Sequence, residues 1–360
     1  MKVMSIFGTR PEMIKMWATL KKLDELNFEH LMVHTGQNFT PELKDFFFKD
    51  LKIREPNFHM NIDTSSYGKE VADVVSKSDE LIKKVKPDAL VILGDTYSGL
   101  SCMPASYHGV KIFHMEAGLR AWDRRMPEQR NRILIDHMSD ILLPFRFNHR
   151  ENLINEGIHP SKIFVTGNTV FEAMKSFEGQ INSSEILNKL SLSKKDYFIV
   201  TAHRSENVDN YESLKNIMDA LSMIAERYKK EVIYPMHPRT ESKLADLDYS
   251  KKIKIIKPLG FYDFNKILKE SFCILSDSGT ASEEGLYYGV PSISLRMTTE
   301  RPETLESGNH IVAGLSKQNI IDSVETITSL EWKPKYDFET NHSPSSVVIS
   351  TIRSQLTNFF

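Results

Sequence analysis

The sequence predicts an α/β protein made of two consecutive units, each a doubly wound parallel sheet. Three observations point there. From residue 2 to about residue 175, short apolar runs alternate with longer amphipathic stretches. The runs are continuously hydrophobic rather than alternating, as in strands covered on both faces by crossover helices. After a polar stretch at 176–195 the same alternation restarts and continues to residue 314. At 360 residues the chain also exceeds what one hydrophobic core ordinarily serves.

In the first unit the strands are expected at 2–7 (KVMSIF), 30–35 (HLMVHT), 89–94 (ALVILG), 111–115 (KIFHM), 141–145 (ILLPF) and 163–168 (IFVTGN). Between the first two, Met13, Trp17, Leu20, Leu23 and Leu26 recur at helical spacing. The stretch 176–195, with GQINSSE and SLSKKD, reads as a linker between domains. Strands of the second unit are expected at 197–202, 232–237, 253–258, 273–277, 291–296 and 310–314. Ser343-Pro344 supplies an N-cap and a first-turn proline for a closing helix. The domain boundaries expected are therefore 1–175 and 196–340, with the closing helix at 343–360, and a cleft between two units of similar size.

Composition narrows the function. Hydrophobic residues are 40%, charged residues 26%, and the formal charge is −2. No overall positive field recruits nucleic acid or anionic lipid, so neither partner is expected. Cys102 and Cys273 each flank an apolar run and read as buried, reduced thiols rather than a disulfide or a zinc site. No apolar stretch approaches a membrane span, and the opening MKVMSIFGTRPE turns polar too soon for a signal peptide. A cytoplasmic location is the expectation.

In open α/β sheets, ligands bind beyond the carboxyl ends of the strands. The residues directly after the apolar runs are therefore the candidate site. In the first unit they are Gly8-Thr9-Arg10-Pro11-Glu12 with Lys15 one turn on, Gly94-Asp95-Thr96, and Glu116-Ala117-Gly118-Leu119-Arg120. Glu128, in MPEQRNR, joins Asp95 and Glu116 as a third carboxylate. In the second unit they are His203-Arg204-Ser205, His237-Pro238-Arg239, Asp277-Ser278-Gly279-Thr280 followed by Glu283-Glu284, and Thr298-Thr299-Glu300-Arg301. Carboxylates thus concentrate on the first unit and anion-binding types on the second. A hydroxyl-glycine segment opening a helix offers free N–H groups and the positive dipole end to a phosphate. Singly, each residue has an ordinary structural explanation. Asp95 could be an N-cap, His237 a loop histidine, Ser278-Gly279-Thr280 a capping turn, and Glu283 and Glu284 first-turn charges. Two sets at matching strand ends are harder to explain by capping alone. There is no GxGxxG after the first strand, no Walker A loop and no HExxH, so no nicotinamide cofactor, nucleoside triphosphate or metal is expected.

These residues fall into nine segments in order: FGTRPEMIK (7–15), LGDTYS (93–98), MEAGLR (115–120), MPEQRNR (126–132), VTGNTV (165–170), TAHRSENVDN (201–210), YPMHP (234–238), SDSGTASEE (276–284) and TTERPE (298–303). The set resembles the non-hydrolysing UDP-N-acetylglucosamine 2-epimerases over nearly the whole chain. The resemblance implies a GT-B-like pair of Rossmann domains with the ligand in the cleft, no cofactor, and commonly a homodimer. It implies anti elimination of UDP across C1 and C2 to a 2-acetamidoglucal, followed by re-addition of UDP to the opposite face. Asp95, Glu116 and Glu128 are then the acid/base set, with Arg132 four residues beyond Glu128 as its partner on one helix face. Arg10 and Lys15 line the wall of the first domain. His203, Ser278, Gly279, Glu284 and Arg301 match UDP-binding positions, with Glu284 on the ribose hydroxyls and His203 and Arg301 toward the phosphates. Thr280 and His237 complete the binding set.

Two positions depart from the family pattern. Gln37-Asn38 stands where bacterial UDP-N-acetylglucosamine members have Gln-His, whose histidine serves a second, activating substrate molecule. Gln129 replaces the second glutamate of Pro-Glu-Glu. The segment 34–53 resembles relatives that act on UDP-2-acetamido-2,6-dideoxy-hexoses, whereas MEAGLR and TTERPE resemble the UDP-N-acetylglucosamine enzymes. A glycosyltransferase of the same fold and a non-catalytic nucleotide-sugar sensor are the competing readings. Acceptor dependence would mark the first, and binding without turnover the second.

Overall fold

Each unit of the protein, in a computed structural model, is built on a six-stranded sheet whose strands are all parallel. The structure describes residues 1–357 except 38–47, 49, 237 and 333–342. The chain divides into one unit of Met1–Ser176 with Glu339–Phe360, and a second of Phe177–Phe338.

In the first unit the strands are β1 (Lys2–Phe7), β2 (Glu29–His34), β3 (Phe58–His59), β4 (Ala89–Leu93), β5 (Lys111–Met115) and β6 (Ile141–Leu143). Their order across the sheet is β3-β2-β1-β4-β5-β6. In the second they are β7 (Tyr197–Thr201), β8 (Glu231–Pro235), β9 (Ile253–Ile256), β10 (Cys273–Ser276), β11 (Ser292–Ser294) and β12 (His310–Val312). Their order, β12-β11-β10-β7-β8-β9, is the same topology read from the other edge. In both units the first strand lies at the middle, and the chain winds outward on one side and then the other. Each sheet therefore has a switch point, at β1/β4 and at β7/β10, where diverging loops open a crevice at the carboxyl ends.

The burial explains the continuous apolar runs. All of β4 is buried. In β7, Phe198 and Val200 join one core cluster while Tyr197 and Ile199 join the other. Alternate side chains thus enter separate hydrophobic layers, and both must be apolar. Cys102 and Cys273 are buried free thiols, each pushed up to about 12 by burial.

Two expectations are corrected and one strand is added. The run 163–168 is not a strand; it meets β6 only through an isolated Leu142–Ile163 bridge, with Phe164 and Thr166 donating to the carbonyls of Leu142 and Pro144. Pro144 has no N–H to return a bond, so the ladder stops. The edge strand β3, two residues long, carried no apolar run to announce it. The stretch 176–195 is not an open linker. Helices Glu178–Ser183 and Ile186–Lys189 occupy it and bury Ile181, Ile186 and Leu187. The helix Pro344–Thr357 forms as expected and packs in the first unit, burying Val348 and Ile352 and placing Ser345 Oγ 2.6 Å from Glu172.

Candidate active site

At the β1/β4 switch point the loop after β1 enters the helix Arg10–Glu25 through a capping box. Glu12 Oε2 accepts from the N–H groups of Gly8 (3.0 Å) and Thr9 (2.8 Å) and from Thr9 Oγ1 (2.8 Å), while its Oε1 accepts from Thr96 Oγ1 (2.8 Å). One buried carboxylate thus ties the end of β1 to the end of β4. Burial raises its pKa above the ordinary value, and these donors pull it partly back. Gly8 is required here: a Cβ would stand 1.9 Å from Thr35 Oγ1 and 2.8 Å from Ser98 Oγ. Arg10 opens the helix, with its guanidinium brought down to about 10 by burial, so it stays charged at neutral pH.

Lys15, one turn into that helix, reaches across to the end of β5, where its Nζ lies 2.6 Å from Glu116 Oε1; both side chains are buried. Glu116 itself is in the left-handed region, φ +59°. For a non-glycine residue that conformation costs energy and is held only where the surroundings dictate it. Asp95, after β4, ion-pairs with Arg132, and its carbonyl accepts from Asn131 Nδ2 at 3.1 Å. Both partners come from the helix Pro127–Met138, whose first turn carries Glu128. The sequence spacing offered Glu128 as partner of Arg132; the structure gives it Asp95. Nor is Asp95 an N-cap, since Thr96 holds that place before the short helix Tyr97–Ser101. Gln129 is buried and accepts from the N–H of Ala121 at 2.8 Å, fixing the loop after Arg120.

At the β7/β10 switch point the organiser is Asp277, fully buried after β10. Its Oδ2 accepts from the N–H groups of His203 and Arg204, both at 2.8 Å, and from Asn207 Nδ2 at 3.0 Å. Its Oδ1 lies 3.2 Å from His203 Nδ1. The backbone of His203 is thereby fixed, while its side chain remains 68% exposed. The helix Gly279–Tyr288 begins beside it, with Ser278 at the N-cap making no side-chain capping bond, so Ser278 is not the ordinary capping residue. Gly279 is needed by close approach: a Cβ would lie 2.5 Å from Arg301 Nη1. Arg301 is buried, with Nε 3.1 Å from Glu283 Oε2 and Nη1 on Glu300, which also holds Arg296 through a 2.8 Å contact. Glu283 and Glu284 are buried within the helix and are not solvated first-turn charges. Thr280 is half-buried in the first turn. His237 and Asn38 lie outside the described residues.

The first unit therefore gathers carboxylates, each of Asp95 and Glu116 with a cation against it. The second gathers an imidazole beside a buried carboxylate, a helix start uncapped by its serine, and a buried arginine. The UDP-N-acetylglucosamine 2-epimerase family model matches residues 21–344. The chain belongs to this family of isomerases. The UDP-N-acetylglucosamine 2-epimerase of Methanocaldococcus jannaschii is 38% identical over 97% of this chain and 98% of its own. The UDP-2,3-diacetamido-2,3-dideoxy-D-glucuronate 2-epimerase of Pseudomonas aeruginosa is 32% identical over 91% of this chain and 92% of its own. Among solved structures, the M. jannaschii UDP-GlcNAc 2-epimerase in complex with UDP-GlcNAc and UDP matches with a TM-score of 0.91 at 36% identity, covering 99% of this chain and all of that one. Each unit has the expected doubly wound α/β fold, and these epimerases are GT-B-like.

Four residues of the strand-end segments have a holding role that their position alone did not indicate. Glu12, Asp277, Glu283 and Glu300 act through the loops and the arginine they hold. Thr9-x-x-Glu12 is a capping-box spacing and could have been found that way. The holding role of Asp277 has no such signal, because its partners, two main-chain N–H groups and the side chain of Asn207, lie 70 or more positions away.

Proposed function

We propose that the protein inverts carbon 2 of a UDP-N-acetyl amino sugar without net hydrolysis, interconverting UDP-N-acetylglucosamine and UDP-N-acetylmannosamine. The observation that carries this reading is the division of chemistry between the two sheets: cation-paired carboxylates after β4 and β5, and anion-binding groups at β7/β10. In the proposed reaction a carboxylate of the set Asp95, Glu116 and Glu128 takes the C2 proton. The C–H pair forms the C1=C2 bond, and the C1–O bond breaks with its electrons leaving on UDP. The resulting 2-acetamidoglucal is then protonated at C2 from the opposite face, and UDP returns to C1. His203, Arg301 and the N–H groups at Ser278, Gly279 and Thr280 stabilise the departing diphosphate. Glu284 takes the ribose hydroxyls, and Arg10, Lys15, Arg132 and His237 complete the charged surround. A cytoplasmic homodimer supplying surface-polysaccharide precursors is the accompanying expectation.

A second reading, inversion of a UDP-2-acetamido-2,6-dideoxy-hexose, is favoured by Asn38 and by the 34–53 segment. One experiment tests both. A panel of UDP-N-acetyl sugars, incubated in deuterated water and followed by NMR, should show C2 exchange and inversion with one class. No exchange with any of them would overturn the proposal. Glu116→Gln should slow exchange by roughly 10²- to 10⁴-fold with UDP affinity retained. His203→Ala should weaken UDP binding about tenfold or more, through loss of a charge-assisted contact; unchanged affinity would remove His203 from the diphosphate.

A further inference from the structure

A buried His–Asp–Arg cluster adjoins the strand ends that carry the carboxylates and has no part in the proposed proton transfer. His114, in β5 two residues before Glu116, has both ring nitrogens against oxygen: Nε2 lies 2.7 Å from the carbonyl of Gly94, and Nδ1 lies 2.8 Å from Asp136 Oδ1. Neither His114 nor Asp136 has any exposed side-chain area. A carbonyl can only accept, so Nε2 carries a proton. Asp136 also accepts from the N–H of Gly118 (3.2 Å) and faces Arg120 Nη1 at 2.7 Å, contacts that suit a carboxylate and not an acid. Burial pushes Asp136 up, but His114 and Arg120 outweigh it and hold the carboxyl below its ordinary value. Nδ1 is then a donor as well, and the ring is an imidazolium. Arg120 in turn reaches Glu156 through Nε at 2.7 Å, so two cations and two anions close the group.

The three ends of this bridge matter. Gly94 directly precedes Asp95, His114 and Gly118 flank Glu116, and Asp136 lies on the helix that carries Glu128 and Arg132. We propose that His114, doubly protonated and paired with Asp136, is a positioning residue that locks together the three backbone segments bearing the candidate acid/base carboxylates and holds Glu116 in its left-handed conformation. A neutral imidazole could satisfy Gly94 or Asp136 but not both as donor. Loss of either charge would loosen the β4-end and β5-end loops against each other. The proposal rests on the reading of Asp95, Glu116 and Glu128 as the proton-transfer set.

The test uses the full chain and the variants Asp136→Asn and His114→Gln, with Asp136→Glu as the conservative partner. Both disruptive variants should lower kcat for C2 exchange about 10²-fold, the scale of an ångström misplacement of reacting groups. KM and UDP affinity should stay within about twofold, and Asp136→Glu should recover part of the loss. ¹⁵N NMR of the imidazoles should show His114 doubly protonated at pH 7 in the unaltered protein and singly protonated in Asp136→Asn. A singly protonated His114 in the unaltered protein would overturn the proposal, as would kcat within twofold of normal in both variants. A parallel fall in kcat and UDP affinity with a lowered Tm would also overturn it, by marking the bridge as merely structural. The NMR readout does not depend on turnover. Absence of C2 exchange in the unaltered protein would therefore sink the catalytic reading while leaving the protonation of His114 separately tested.

Discussion

At the scale of single residues, the switch points are shaped by what cannot be added as much as by what is present. Gly8 lies against Thr35 and Ser98 with no room for a methyl group. Gly8→Ala should therefore cost about 1–3 kcal/mol by overpacking, measured by urea unfolding. Adding Thr35→Ala should recover much of it, because the nearest clash is with that hydroxyl; additive losses in the pair would contradict the steric argument. The residues that announce chemistry were legible for a related reason. Asp95, Glu116, His203 and Ser278 directly follow apolar runs, and a polar residue at a strand's carboxyl end is where such folds place ligands. Asp136 and Asp277 were not legible as organisers. Each acts by accepting hydrogen bonds from residues distant in sequence, a relation set by strand order and invisible to local pattern.

At the scale of elements, the strands of the second unit were read from their apolar runs, which β10 and β11 owe to complete burial and which the half-buried edge strands β9 and β12 keep. The first unit escaped in two places, where a proline truncated pairing at 163–168 and where the two-residue β3 had no run to read. In β12, His310 is buried with Nδ1 2.8 Å from Ser292 Oγ, and burial brings its pKa down to about 4. An unfolded histidine titrates near 6.5, so the unfolded chain binds this proton first as pH falls. The stability this residue supports is present above pH 6.5 and is lost progressively between about 6.5 and 4, by up to roughly 3 kcal/mol. Unfolding measured across that window should show the loss, and His310→Asn should reduce it, the remainder belonging to His30, whose pKa burial also lowers. A profile equally steep in the variant would assign the acid sensitivity to other groups. Carboxylates held low, such as Asp136 and Asp24, act at more acidic pH and do not mask the window.

At the scale of the whole chain, two units of the same topology carry different chemistry, and the first is discontinuous in sequence. Its final helix, Pro344–Thr357, buries Val348, Ile349 and Ile352 and binds Glu172 through Ser345, and Lys111 Nζ donates to the carbonyl of Gln355 at 2.9 Å. Ending the chain at residue 342 should cost the first unit roughly 4 kcal/mol or more, since each buried aliphatic side chain contributes about 1.5–3 kcal/mol. Hydrogen exchange should show β1 and the helix Arg10–Glu25 losing protection while β7 and β10 keep theirs. Uniform loss across both sheets would mean the helix stabilises more than its own unit.

That discontinuity has a consequence for how the protein is made. On the ribosome, β1 to β6 emerge first, then wait while all of the second unit is synthesised, and their last hydrophobic surface is covered only once residues 344–357 appear. The second unit, continuous in the chain, can finish at once. The half translated earliest is completed latest, and it is the half that nascent-chain chaperones would have to shelter.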